Sequence, residues 1–190
     1  DVLREALARN IVATSKDAGV RVTKATASRS ANAFIQNIHH FRDEYVGKEE
    51  APSDRIVVFD EAQRAWTNEQ LSGFMRRKKG RLDFNQSEPQ FLINVMNRHE
   101  SCTVICLIGG GQEINRGEAG LEEWLDALRT YFPDWVIHYS NLIVEDANYL
   151  NNDDLKQWLT TTGRQETELH LAVSVRSFRS ENASAFVQSV

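Results

Sequence analysis

Cysteine and proline are scarce in this sequence, and long apolar runs are missing. Two cysteines and three prolines occur among 190 residues. Cys102 and Cys106 lie in one apolar run, too far apart along a single strand to form a disulfide with each other. No apolar run reaches the length of a membrane-spanning helix. These absences exclude a disulfide-stabilised secreted scaffold and a protein with helical membrane spans, and we expect a cytoplasmic protein.

An overall basic charge is also lacking, since the formal net charge is −5. The chain as a whole therefore does not attract nucleic acid. One local cluster, RRKKGR at residues 76–81, carries the opposite charge. It is typical of a solvated loop or helix end. Its first four residues also form a candidate phosphate-contacting patch for nucleic acid: Arg76, Arg77, Lys78 and Lys79.

Apolar periodicity divides the chain into alternating helices and strands. Short apolar runs predict strands at residues 55–59, 102–108, 135–140 and 168–176. Helical spacing predicts helices at 1–14, 31–45, 67–75, 87–99, 121–132, 152–163 and 180–190. This alternation is typical of an α/β fold with a mainly parallel sheet flanked by helices. No repeat or linker divides the sequence, so residues 1–190 are predicted to form a single domain.

Polar residues follow three of the predicted strands. Asp60 and Glu61 follow the first strand. Gln112 follows the second after three glycines, and Arg176 ends the last. Because ligands bind beyond the carboxyl ends of strands in open α/β sheets, we expect these groups to line one crevice. The alternative for the two carboxylates is a helix N-terminus, where the helix dipole favours acids.

The residue types at these strand ends fit phosphoryl transfer. An aspartate such as Asp60 can hold Mg²⁺, which prefers oxygen ligands. An adjacent glutamate, here Glu61, can orient or deprotonate an attacking water. The Gln112 amide can sense a terminal phosphate, and the Arg176 guanidinium can neutralise charge that develops in the transition state. The strand ends therefore predict a nucleotide site.

Several strings of the sequence resemble known helicase motifs. VVFDEAQRAW resembles the Walker B segment, motif II, of superfamily-one helicases. CLIGGGQEINRGEAG resembles motif III, and LAVSVRSFRS resembles motif IV. With NIHHFRDEY, RKKG and SEPQFLI, these strings resemble, in the same order, a bacterial domain family of unknown function, the Schlafen group-three-like DNA/RNA helicase domains. The resemblance covers almost the whole chain, and several rare strings recur together.

The resemblance implies a role for each matching residue near motifs II and III. Asp60 would coordinate Mg²⁺, and Glu61 would be the catalytic base. Gln63 and Gln112 would couple the γ-phosphate of ATP to the nucleic-acid site. The implied cofactors are therefore Mg²⁺ and ATP, and the implied partner is DNA or RNA.

Further roles follow from the same resemblance. Arg176 would approach the γ-phosphate, with Arg179 as the second candidate. His39 would lie near the nucleic-acid path or brace motif II. A metal site at His39 and His40 is disfavoured, because neighbouring residues on a helix point in different directions and no further ligand has matching spacing.

One family feature is missing from this sequence. The phosphate-binding loop G-x-x-x-x-G-K-[ST] occurs nowhere in the 190 residues. In the family, that loop lies upstream of a segment similar to the first residues of this chain. We therefore expect a partial P-loop NTPase (RecA-like) domain without its first strands, cut from a longer protein with fused domains. Such a fragment is expected to bind ATP weakly and to be inactive alone.

Two functions remain open at this point. The first is part of an ATP-dependent helicase or translocase-like NTPase that acts on nucleic acid in the full-length protein. The second is a non-catalytic scaffold that binds protein or nucleic acid through the 76–81 cluster.

Overall fold

The computed structural model of the chain describes residues 2–34, 38–109 and 118–171. These residues form a helix-rich α/β fold with small parallel sheets. The helices are α1 Val2–Asp17, α2 Lys24–Phe34, α3 Ile38–Tyr45, α4 Asn68–Lys79, α5 Glu88–Met96, α6 Gly120–Tyr131, α7 Leu142–Glu145 and α8 Asp153–Thr162. The strands are β1 Ile56–Phe59, β2 Thr103–Cys106, β3 His138–Tyr139 and β4 Arg164–Gln165. Two short 3-10 helices span Ala62–Arg64 and Thr167–Leu169.

The chain divides into two compact units. Unit 1 contains residues 1–59 and 91–104, and unit 2 contains residues 60–90 and 105–190. The divisions fall directly after β1, inside α5 and inside β2. Each unit therefore combines segments that are distant in the sequence.

Unit 1 is built from helices on a short sheet. Helices α1 and α2 pack together, and the small side chains of Ala27 and Ala31 in α2 are fully buried. Helix α3 packs on β1 through Phe41 and Phe59, whose ring centroids lie 5.9 Å apart. Strand β1 pairs with β2, and the strand-flanking Arg55 carbonyl accepts a 2.8 Å hydrogen bond from the Thr103 amide.

Unit 2 contains an apolar cluster beneath a second small sheet. The buried members of this cluster are Leu125, Tyr139, Leu150, Leu155 and Leu159. Strands β3 and β4 pair in parallel, with His138 opposite Arg164 and Tyr139 opposite Gln165. The chain between them passes through α7 and α8, because parallel strands need a crossover connection.

Several predicted elements differ from the observed ones. The strand predicted at 135–140 is limited to β3, and of the helix predicted at 31–45 the described residues 31–34 and 38–45 are helical, in α2 and α3. At the strand predicted for 168–176, Glu168 and Leu169 lie in a 3-10 helix instead, and residues 172–176 lie outside the described residues. Among the described residues there are two two-stranded sheets, where the sequence had predicted one larger sheet.

The two cysteines are free thiols, as the sequence had predicted. Burial raises the pKa of the Cys102 thiol and raises that of Cys106 to about 12. Both thiols are therefore protonated, and unreactive as nucleophiles, near neutral pH. Within the described ranges no helix combines the length and apolar character needed to span a bilayer.

Candidate functional site at the end of β1

The carboxylates predicted to hold Mg²⁺ and to activate water follow β1 directly. Asp60 is exposed, and its Oδ1 accepts a hydrogen bond from the Glu61 amide at 3.1 Å. Glu61 has φ 54° and ψ 43°, in the left-handed region. Among the described residues it is the only non-glycine residue with positive φ. Such a conformation costs a long side chain roughly 1–2 kcal/mol, so the surrounding contacts must hold it.

The Glu61 carboxylate is held by two neighbours within the same turn. Its Oε2 accepts a 2.8 Å hydrogen bond from Gln63 Nε2 and lies 3.3 Å from Arg64 Nε. The Glu61 side chain is nevertheless 44% exposed. The carboxylate is therefore oriented by the turn and still open to water.

Gln63 connects this turn to the residues that follow β2. Its side chain is buried, and its Oε1 accepts a 3.4 Å hydrogen bond from the Gly109 amide. One residue earlier, the Ala62 amide donates to the Leu107 carbonyl at 2.9 Å. The structure therefore brings the ends of the first two predicted strands together, and the predicted crevice itself stays a prediction.

The same turn is also attached to the residues on the far side of segment 110–117. The Trp124 indole Nε1 donates a buried 2.8 Å hydrogen bond to the Ala62 carbonyl. The Ala119 amide donates to the Ala65 carbonyl at 2.6 Å, and Trp66 forms an isolated β-bridge with Glu118. Residues 62–66 therefore hold both flanks of the segment that contains Gln112.

A buried carboxylate fixes the end of the turn. Glu88 is completely buried, and its Oε2 accepts a 2.9 Å hydrogen bond from the Trp66 amide. The Glu88 amide in turn donates to the Trp66 carbonyl at 2.9 Å. Sequence reasoning missed this residue, because an acid in the first turn of α5 is already explained by the helix dipole.

Mg²⁺ is compatible with the donor set at the turn. The ion is usually held by one or two carboxylates, with waters and substrate phosphates completing the octahedron. Asp60 supplies one exposed carboxylate, and only one of its oxygens receives the Glu61 amide. Within the described ranges, this turn included, no group of three or more His, Cys, Asp or Glu side chains is placed to hold an ion.

The predicted nucleic-acid residue His39 belongs to unit 1, on α3. Its ring Nδ1 lies 3.2 Å from Arg42 Nη1. Arg42 is buried and also donates to Asp43 Oδ1 from Nε at 2.9 Å and from Nη2 at 2.8 Å. His39 is half-buried and His40 exposed, so His39 helps to surround a buried guanidinium.

The predicted basic patch lies at the end of α4. Thr67 caps the N-terminus of the helix, and Gly80, with φ 66°, ends it. The four cations form the exposed last turn of α4, where the helix dipole favours positive charge: Arg76, Arg77, Lys78 and Lys79. The remaining predicted site residues lie outside the described residues: Gln112, Arg176 and Arg179.

A helix-rich α/β chain whose adjacent carboxylates directly follow a strand, in a turn that contacts the end of a second strand through Ala62 and Gln63, belongs to a broad class that includes nucleotide-binding proteins. Residues 1–190 match the family described as Schlafen group 3, DNA/RNA helicase domain, and the chain belongs to that family. Neither a curated protein nor a solved structure matches the chain.

Proposed function

We propose that this chain is part of an ATP-dependent nucleic-acid helicase or translocase-like NTPase, and that its finer fold is a partial RecA-like core. The family description supports a helicase-like domain. The observation that carries the proposal is the pair of contacts at the turn after β1, from Ala62 to Leu107 and from Gln63 to Gly109. These contacts join the turn that carries the two carboxylates to the start of the glycine-rich segment.

The proposed chemistry divides the work among the residues of the turn. Bound Mg²⁺ would neutralise phosphate charge, and Asp60 would hold the ion. Glu61 would accept the proton of the attacking water, since its carboxylate is oriented but exposed. Gln63 would keep that carboxylate aligned, because its Nε2 donates to Glu61 Oε2. Its Oε1 accepts from the Gly109 amide, so Gln63 would also couple the carboxylate to the residues after β2. Two roles at the γ-phosphate of ATP stay predictions. Gln112 would sense this phosphate, and Arg176, with Arg179 as second candidate, would approach it.

The proposal is tested in the full-length natural protein that contains this chain. ATP hydrolysis is measured with and without DNA or RNA, in the wild type and in Glu61→Gln. Loss of a general base lowers kcat by about 10²–10⁴-fold, and we expect little change in KM. Glu69→Gln removes a similarly charged side chain from the exposed first turn of α4 and is expected to leave turnover unchanged.

Two results of the ATPase measurement would contradict these expectations. Wild-type protein without ATP turnover, with or without nucleic acid, would contradict the proposal and favour the scaffold function. Equal turnover in wild type and Glu61→Gln would remove Glu61 from the base role. For the 190-residue chain alone we expect weak nucleotide binding, because the phosphate-binding loop is absent from its sequence. Tight Mg²⁺-dependent ATP binding in calorimetry would contradict that expectation.

A further inference from the structure

The last turn of α4 combines charge and position in a way that helix stability alone does not explain. Four consecutive cations occupy this turn in a chain whose net charge is −5. The helix dipole favours cations there, but the benefit is small and is confined to the last turn. Four adjacent like charges also repel one another. A polyanion bound at the surface would remove that repulsion.

Three of these cations make no ion pair with any other residue that the structure describes: Arg76, Arg77 and Lys78. All three are exposed. The Arg77 guanidinium lies back along α4 over Gly73, 3.7–3.9 Å from where a Cβ on that glycine would be. The guanidinium therefore lies along the helix at ordinary contact distance from that position, and the three cations are exposed to a ligand.

An aromatic pair, formed by Trp66 before α4 and Phe74 within it, lies near the cations. Trp66 and Phe74 meet edge to face with centroids 5.4 Å apart, and both side chains are partly exposed. Phe74 precedes Arg77 and Lys78 by one helical turn, so these three residues share one side of α4, whereas Arg76 lies about 100° round the same last turn from Arg77. Surfaces that bind single strands combine a positive track for the phosphates with aromatic rings on which bases stack.

We propose that this α4 surface, defined by Trp66, Phe74, Arg76, Arg77 and Lys78, binds single-stranded DNA or RNA through its phosphate backbone. This inference rests on the proposed function and specifies where that function meets its nucleic acid. Trp66 also ends the turn that begins at Glu61, and its backbone is fixed on both sides by Glu88. A nucleic-acid strand bound at the α4 surface would therefore be connected to the proposed base, Glu61, by the short turn that ends at Trp66.

Binding is measured by fluorescence anisotropy of labelled oligothymidylate and oligouridylate of equal length, with the 190-residue chain and no nucleotide. The test variant replaces the three open cations with glutamine, a good helix former: Arg76→Gln, Arg77→Gln and Lys78→Gln. We expect its affinity to fall about tenfold or more at low salt. The slope of log K against log salt should fall by about 2, since each single-strand phosphate contact contributes roughly 0.7.

A matched control removes the same charge from exposed helical positions of unit 1: Lys16→Gln, Lys24→Gln and Arg29→Gln. This variant should keep the wild-type affinity and salt slope. Circular dichroism and thermal unfolding of both triple variants establish that they fold. Equal loss of affinity in the two variants would mean that the net charge alone causes the loss, and it would overturn the proposal.

Competition identifies the kind of partner. Oligothymidylate should displace the probe, whereas polyglutamate and phosphatidylserine vesicles should not. Displacement by either of these as effectively as by oligonucleotide would overturn the assignment to nucleic acid, and so would the absence of binding by the wild type. Duplex DNA that competes equally would overturn the single-strand assignment.

This inference and the proposed function fail in different experiments. Oligonucleotide binding through α4 without ATP turnover in the full-length protein would leave the inference standing and refute the proposed function. In a full-length protein that hydrolyses ATP, the triple variant should lose nucleic-acid stimulation of turnover. Unchanged stimulation in that variant would contradict the inference alone.

Discussion

Gly73 and Gly163 differ in the space that is available for a side chain. Gly73 lies in the middle of α4, and a Cβ there would meet only the Arg77 guanidinium at ordinary contact distance. Gly163 follows α8, and a Cβ there would lie 2.9 Å from the Leu159 carbonyl oxygen and 3.0 Å from the Tyr139 ring. The first position has space for a side chain, and the second does not.

These environments predict stability changes of opposite sign. Gly73→Ala should raise the free energy of unfolding by about 0.5–1 kcal/mol, because alanine restricts the unfolded chain and fits the helix. Gly163→Ala should lower it by roughly 1–3 kcal/mol, because the added carbon forces backbone and ring apart. Thermal or denaturant unfolding of both variants measures the difference. A destabilised Gly73→Ala protein would contradict the finding that this position has space for a side chain.

At the scale of single elements, α6 supports the turn that carries the candidate base. The indole of Trp124 is buried and donates to the Ala62 carbonyl, at the first residue of the 3-10 helix after Glu61. This bond links residues 62 positions apart. The turn therefore depends on a tertiary hydrogen bond as well as on its own backbone.

Trp124→Phe should destabilise the protein by more than its loss of volume. The variant removes the hydrogen bond to Ala62, worth about 1 kcal/mol, in addition to indole packing. Trp158→Phe is the matched control, because Trp158 packs against the apolar cluster and makes no hydrogen bond to the rest of the described chain. Equal losses of unfolding free energy in the two variants would mean that the Trp124 hydrogen bond contributes nothing.

The elements that sequence reasoning predicted correctly have long or continuous apolar patterns. Strand β1 lies inside a run of four apolar residues, and helices α6 and α8 were predicted within one or two residues of their observed ends. Strand β4 has only two residues, both exposed, so no pattern could predict it. Its pairing is set instead by the crossover through α8.

Within the candidate site, the sequence predicted groups that follow strands and missed groups that act from a distance. Asp60 and Glu61 were predicted because they follow an apolar strand directly, and Gln63 because it lies in the string that resembles motif II. Glu88 and Trp124 were missed because both bind backbone groups far away in the sequence. Backbone partners leave no pattern in the side chains, so only coordinates could identify these contacts.

At the scale of the whole molecule, the two compact units are formed from alternating segments of the chain. The divisions fall inside α5 and β2 and directly after β1, so no flexible stretch marks them. Asp60 begins unit 2. The candidate carboxylates, the buried Glu88 and the α4 surface consequently belong to one unit, which allows local strain there to be stabilised by that unit's own core.

That strain is measurable in the stability of the whole chain. Glu61→Gly and Glu61→Ala both remove the carboxylate and its contacts with Gln63 and Arg64, so their difference isolates the backbone conformation. Because only glycine adopts the left-handed region freely, Glu61→Gly should be about 1–2 kcal/mol more stable than Glu61→Ala. The same pair at Glu69, in the first turn of α4, should show the reverse order by roughly 1 kcal/mol.

The signs of these two stability differences show whether the backbone of Glu61 is strained. If alanine is favoured over glycine at both positions, the backbone of Glu61 is unstrained and its left-handed turn gives no support to a functional role. If the order inverts at Glu61, the fold maintains a glutamate where glycine would be more stable. Proteins retain such residues where function needs the side chain. In the full-length protein, Glu61→Gly should then be more stable than Glu61→Ala. Both variants should lose ATP turnover to the same extent, because both lack the carboxylate.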